Sequence, residues 1–399
     1  MISDKMKELV KNNSVIREMF EEGKKLKKIY GEENVFDFSL GNPSTPVPSK
    51  VKDSIIELLE NEKQNIIHGY TSNNGFEDVR DALAKSLNKK YNTNFKSDNF
   101  IMTVGAASGL NIVLKSILNK DEEVIVFAPY FSEYKCYIEN YDAKIIIISP
   151  NENNNFIPDL KELESKINNK TRAIIINNPN NPTGVVYDES FIKKLSEVLM
   201  KKEKELERDI YLISDEPYRE IVYDGKKVPF ITKYYNDTIV VYSYSKSLAI
   251  PGERIGYVIV QDEVKDSKDL ITAITIANRV IGCVNAPSLM QKVVSKCTDI
   301  TCDMNIYDKN RKLLYSKLKE YGFKCIKPEG AFYLFVKSPS EDDKEFASRS
   351  KKYNILVVPA SSFGCKGYVR IAYCTSFSTI ERSLESFKKL AEEYGIYKS

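Results

Sequence analysis

Ile239-Val240-Val241-Tyr242-Ser243-Tyr244-Ser245-Lys246-Ser247-Leu248 is an apolar run that ends abruptly at a lysine set among hydroxyls. The first half reads as a buried strand and the second as a strand-end loop equipped for chemistry. Arg254 follows eight residues after the lysine, in Gly252-Glu253-Arg254-Ile255-Gly256. Partial burial and neighbouring positive charge keep a lysine amine deprotonated and able to attack an aldehyde. Two short hydroxyl donors with a planar, permanently charged fork suit a phosphate. In a lysine-rich chain one lysine proves little, so the surrounding segments decide.

Working outward, apolar runs of strand length stand at 101–104, 124–128, 144–148, 173–176, 210–213, 239–242 and 257–260. Longer periodic segments such as 188–206 separate most of them. Continuous rather than alternating apolar strands, joined by helical crossovers, predict an α/β fold whose mostly parallel sheet is covered on both faces. Before it, the residues to about Tyr30 read as one amphipathic helix, with Val15, Ile16, Met19, Phe20, Leu26 and Ile29 at helical spacing. After Pro287 the texture changes to a long helical stretch (288–320), the segment Gly330 to Val336, a helix near 341–353 and a strand at Tyr368–Tyr373. The expected division is an N-terminal helix and arm (1–50), a large domain (51–286) and a smaller α+β domain (287–399), with the N-terminal helix packing on the last.

Composition narrows the partners. With 59 Lys+Arg against 56 Asp+Glu the chain is nearly neutral, which disfavours nucleic acid. The cluster Lys24-Lys25-Leu26-Lys27-Lys28 follows Glu21 and Glu22 at helical pairing distance and reads as a solvated face. Seven scattered cysteines without a Cys-x-x-Cys pair, no signal-like N-terminus and no apolar run of membrane length predict a reducing cytoplasm and no membrane. A single histidine, His68, excludes His-rich zinc sites, and no metal is expected. The general base must then be sought elsewhere, and lysine is the obvious choice.

Ligands of open parallel sheets sit at the carboxyl ends of strands. Four segments fall there. Asn177-Asn178-Pro179-Asn180-Asn181-Pro182-Thr183-Gly184 follows Ile176, and Ser214-Asp215-Glu216-Pro217-Tyr218 follows Ile213. Ser243 to Lys246 follows Tyr242, and Gly105-Ala106-Ala107-Ser108-Gly109 follows Val104 and opens a helix whose N–H groups can hold an anion. A lysine poised for an aldehyde beside a phosphate cup points to pyridoxal 5'-phosphate. The ordered set Asn-Pro-x-Gly, Asp-x-x-Tyr, Ser-x-Ser-Lys with a later arginine resembles the class I/II aminotransferases, fold type I of the pyridoxal-phosphate enzymes. It runs from Leu40-Gly41 to Arg370.

The resemblance implies a large domain with a mostly parallel seven-stranded sheet, a smaller α+β domain, and a role for each matching residue. Lys246 would carry the cofactor as a Schiff base. Asp215 would face the pyridine nitrogen and keep it protonated; from the residues alone it could equally cap the next helix. Asn181 and Tyr218 would hydrogen-bond the ring's phenolic oxygen. Ser243, Ser245 and Arg254, with the backbone of Gly105, Ala106 and Ala107, would hold the phosphate; relatives often have a hydroxyl where this chain has two alanines. Tyr70 would reach the same phosphate from the other subunit of a homodimer. Phe131 would stack on the ring, with Tyr130 the competing choice. Arg370, a charge inside an apolar strand, would clamp the substrate carboxylate, with the Gly41 backbone and Asn181 beside it.

The activity implied is transfer of an amino group from an L-amino acid to a 2-oxo acid, with Lys246 moving the proton. A β-lyase of the cystathionine type shares the scaffold and is the alternative reaction. A non-catalytic cofactor-sensing regulator is expected to carry a basic DNA-binding module, and none precedes the first helix. A dinucleotide-dependent dehydrogenase lacks its Gly-x-Gly-x-x-Gly after an early strand. For substrate choice, Arg279 and Arg17 are the candidate second arginines, and neither has a matching local pattern.

Overall fold

A computed structural model describes residues 2–11 and 15–397. Its strands are β1 (Phe36–Asp37), β2 (Phe100–Thr103), β3 (Glu123–Phe127), β4 (Lys144–Ile148), β5 (Thr171–Asn177), β6 (Tyr211–Asp215) and β7 (Thr238–Ser243). There follow β8 (Gly256–Val260), β9 (Tyr333–Lys337), β10 (Ile355–Leu356), β11 (Val358–Pro359) and β12 (Tyr368–Ala372). Seven of them form one sheet in the order β2-β8-β7-β6-β5-β3-β4. All pairings are parallel except the two made by β8, which runs against both β2 and β7. The link from β7 to β8 holds only the helical turns Tyr244–Ser247 and Pro251–Glu253 and no covering helix, and the chain turns back beside itself. That reversal keeps Lys246 and Arg254 at the same sheet end.

Successive side chains of these strands enter different packed layers, as a pleat buried on both faces requires. Val241 and Val258 pack with the helices Gly105–Ile117 and Ser267–Val280, while Val240 and Ile259 pack with Glu77–Tyr91 and Ser288–Ser295. Farther along the sheet, Ile174 and Leu212 meet Ile192 and Leu195 of the helix Glu189–Leu206.

The smaller domain holds an antiparallel sheet β11-β12-β9 and its own apolar core, with the helices Met304–Glu320 and Phe377–Glu393 against it. β1 pairs in parallel with β10, which fastens the N-terminal arm to this domain.

The N-terminal segment is helical over Asp4–Lys11 and Val15–Tyr30, in keeping with the expected helix, and residues 12–14 lie outside the described residues. One expectation needs correction: the 288–320 stretch is broken into Ser288–Ser295 and Met304–Glu320, because the Asp303 carboxylate caps the second helix by accepting from the Asn305 N–H. Met290, Val293 and Val294 of the first piece pack into the large sheet's core, as does Cys297, whereas Cys302 joins the smaller core. We infer that the switch between domains falls between 297 and 302 rather than at 287. Among the described residues no helix is long and apolar enough to cross a membrane.

Candidate active site

The register of the large sheet lines up the functional strand ends. Asn177 lies opposite Asp215, Asp215 opposite Val241, and Gly256 lies between Ser243 and Thr103. Four loops therefore emerge side by side, as the sequence predicts. Asn177 joins two of them: its side-chain amide donates to the Asp215 carbonyl (2.9 Å) and its oxygen accepts from the Asn181 N–H (2.7 Å).

At the first strand end the helix Gly105–Ile117 begins without a side-chain cap, leaving first-turn N–H groups of Gly105, Ala106 and Ala107 to face outward. Gly105 has φ +76°, and a Cβ there would come within 2.8 Å of the Arg254 guanidinium. The arginine thus abuts the N-terminus of the helix. The Arg254 guanidinium donates to the Pro251 carbonyl (2.9 Å) and more weakly to Val104. The Ser243 and Ser245 hydroxyls, 2.8 Å apart, complete the donor set.

Asp215 is 5% exposed. Its Oδ2 accepts from the Tyr134 hydroxyl at 2.5 Å, while its Oδ1 is buried without a partner. Burial raises the carboxyl to about 7; the Tyr134 hydrogen bond pulls it back and Glu216 pushes it further up. A buried, half-satisfied carboxylate is costly unless a cation or donor arrives. It does not act as a helix cap.

Lys246 lies within the short helical turn Tyr244–Ser247, which Ser243 caps, and its Nζ donates to the Gly41 carbonyl at 2.5 Å. Lys246 is half-buried. Burial drops the ammonium to about 8, Cys374 opposes that shift, and Arg370 and Arg254 reinforce it.

Arg370, on β12, is 2% exposed. It donates to Asn181 Oδ1 (3.1 Å) and to the Ser39 carbonyl (2.5 Å), and its Nε is buried without a partner. Its guanidinium lies between the rings of Tyr333 (4.6 Å) and Phe363 (5.0 Å). No carboxylate pairs with it among the described residues, so it is not a structural ion pair. The Tyr218 hydroxyl meets that of Tyr333 at 2.8 Å.

Around this centre, the rings of Phe131 and Tyr134, the donor to Asp215, meet nearly at right angles with centroids 5.6 Å apart, whereas Tyr130 turns into the core against Gly364. Tyr70 is 91% exposed and touches none of these groups. Arg279 sits exposed in the last turn of its helix, away from the cluster; the side chain of Arg17 lies outside the described residues. Tyr134, Tyr333, Asn177 and Ser39 were not legible as site residues. Asn177 left a trace as the head of a quoted strand-end segment, and Tyr333 left one because strand alternation puts positions 333 and 335 on the face shared by 370 and 372.

Three features fit pyridoxal phosphate: a cluster of anion donors at a helix N-terminus, a buried carboxylate oxygen with no partner, and a buried arginine with a spare donor. Comparison with known proteins agrees. The family model for aminotransferase class I and II matches residues 33–387. An aspartate aminotransferase of Pyrococcus horikoshii is 31% identical over 392 residues and covers 96% of each chain. An aromatic-amino-acid aminotransferase 2 of Thermococcus litoralis is 29% identical, with 98% of each chain covered. The crystal structure of an amino transferase from Eubacterium rectale is 48% identical, covers 99% of both chains and superposes with a TM-score of 0.95. A sheet that gathers these loops and a family match spanning both domains lead to one assignment: the chain belongs to the class I and II aminotransferases and is an aminotransferase.

Proposed function

We propose that this aminotransferase uses pyridoxal 5'-phosphate held on Lys246, and that it takes amino acids by their α-carboxylate on Arg370. The observation that carries the reading is the pair of buried, unpartnered atoms, Asp215 Oδ1 and Arg370 Nε, in one cluster with a lysine of lowered pKa. When bound, the cofactor supplies an aldehyde carbon for the amino nitrogen and a cationic ring that draws electrons from the substrate.

The chain's own groups do the rest. Asp215 Oδ1 holds the proton on the ring nitrogen. Asn181 and Tyr218 face the ring's phenolic oxygen, and Phe131, beside Tyr134, offers its face to the ring. Ser243, Ser245, Arg254 and the Gly105–Ala107 N–H groups take the phosphate. Arg370 and Asn181 fix the substrate carboxylate and so aim the Cα–H bond. Freed once the substrate's amino group has taken its place, the Lys246 amine would take the Cα proton as general base and give it back as general acid.

Tyr70, almost wholly exposed, is assigned to the partner's phosphate site in a homodimer. Seven unpaired cysteines accord with a reducing cytoplasm. Aspartate and aromatic amino acids, named for the relatives, are the first donors to test.

The test is spectroscopic. Protein given the cofactor should colour; an amino donor alone should bleach the colour, and a 2-oxo acid should restore it. Borohydride should fix the label on Lys246, and Lys246→Ala should lower turnover by roughly 10²–10⁴-fold or more. Label on another side chain, or normal transamination by Lys246→Ala, would end the proposal.

A further inference from the structure

Tyr333, at the start of β9, is where the two domains' contributions to the site converge. Its hydroxyl lies 2.8 Å from that of Tyr218, its only hydrogen-bond partner among the described residues. The same hydroxyl abuts Gly41, where any side chain would collide with it, and the Gly41 carbonyl is the acceptor for Lys246. Its ring forms one wall of the Arg370 sandwich, with Phe363 the other. One buried side chain thus contacts the phenol assigned to the cofactor, the arginine assigned to the substrate and the backbone that parks the lysine.

A phenol has one proton to give. On the reading above, the proton of Tyr218 is directed at the ring oxygen, so the short contact with Tyr333 requires Tyr333 to be the donor. We propose that Tyr333 is a positioning residue: its hydroxyl donates to Tyr218 and sharpens that residue's hydrogen bond to the cofactor, while its ring fixes Arg370 for the substrate carboxylate. The inference rests on the roles proposed for Tyr218 and Arg370. Aligned hydrogen bonds polarise one another, so the second phenol makes the first a better donor. Burial holds the Tyr333 phenol at about 12 against the pull of Arg370, so it keeps its proton near neutrality.

Two substitutions separate the two halves of the claim. Tyr333→Phe keeps the ring and removes the hydroxyl. A weaker bond to the ring oxygen leaves more negative charge beside the lysine-linked nitrogen and raises its proton affinity. The pH midpoint of the holoenzyme's visible absorbance should therefore rise by roughly half a unit to one unit, with KM for the amino donor within about twofold. Tyr333→Leu removes the ring as well and should raise that KM roughly five- to tenfold.

Tyr218→Phe should move the midpoint further, and Tyr333→Phe should add nothing on that background. A merely structural Tyr333 would change thermal stability without moving the midpoint. If Tyr218→Phe shifts the midpoint and Tyr333→Phe does not, this inference falls while the cofactor reading stands. If neither shifts it, both fall. An unchanged KM in Tyr333→Leu overturns the arginine half.

Discussion

At the scale of single residues, the cofactor-free site is a place of uncompensated charge. Lys246 holds its proton only up to about pH 8 when folded, against 10.5 as its ordinary value. Below pH 8 both folded and unfolded chains carry the ammonium, and the folded one bears the full penalty. Between 8 and 10.5 the unfolded chain binds more protons, so stability rises with pH across that window. Lys246→Met should thus stabilise the cofactor-free protein by up to about 3 kcal/mol at pH 7, with the gain vanishing above about pH 10.5. Urea midpoints at the two pH values check this, and an equal gain at both would contradict it.

Residues in short contiguous motifs, such as Lys246, Asp215 and Asn181, were legible because their spacing along the chain mirrors their spacing at a strand end. Tyr134 and Tyr333 were not, since among 25 tyrosines only the register and the loop packing single them out.

Among elements, the helix Gly105–Ile117 matters most, because its N-terminus is the proposed anion site. Gly109 lets it lie close on the sheet: a Cβ there would reach 2.7 Å from Val241 and 3.2 Å from Val258. Gly109→Val should push the helix outward, cost about 1–3 kcal/mol of stability and weaken cofactor binding more than a surface change of equal stability cost. Cofactor titration alongside denaturation measures both, and unchanged affinity would show that the N-terminus does not hold the phosphate.

The seven sheet strands could be read as elements because both their faces are buried, which writes them as unbroken apolar runs. Their directions could not be read that way, and the reversal at β8 goes with a connection that holds only two short helical turns. The break at 296–303 escaped notice because a polar cap within a periodic stretch looks like a solvated helix face.

On the scale of the whole molecule, the proposed homodimer places a residue of each subunit in the other's site. Mixing Tyr70→Ala and Lys246→Ala subunits then offers a decisive count. Each homodimer carries two damaged sites, while a mixed dimer has one site with both defects and one intact. An equal mixture allowed to exchange should recover about a quarter of the wild-type activity. No recovery, with exchange shown by mass, would place Tyr70 within its own subunit's site.

The hydrogen bond from Arg370 to the Ser39 carbonyl joins positions 331 residues apart. The phosphate donors proposed within a subunit's own site all lie between positions 105 and 254, so they leave the ribosome before position 370 does. The carboxylate clamp is therefore the last part of the proposed site to be synthesised.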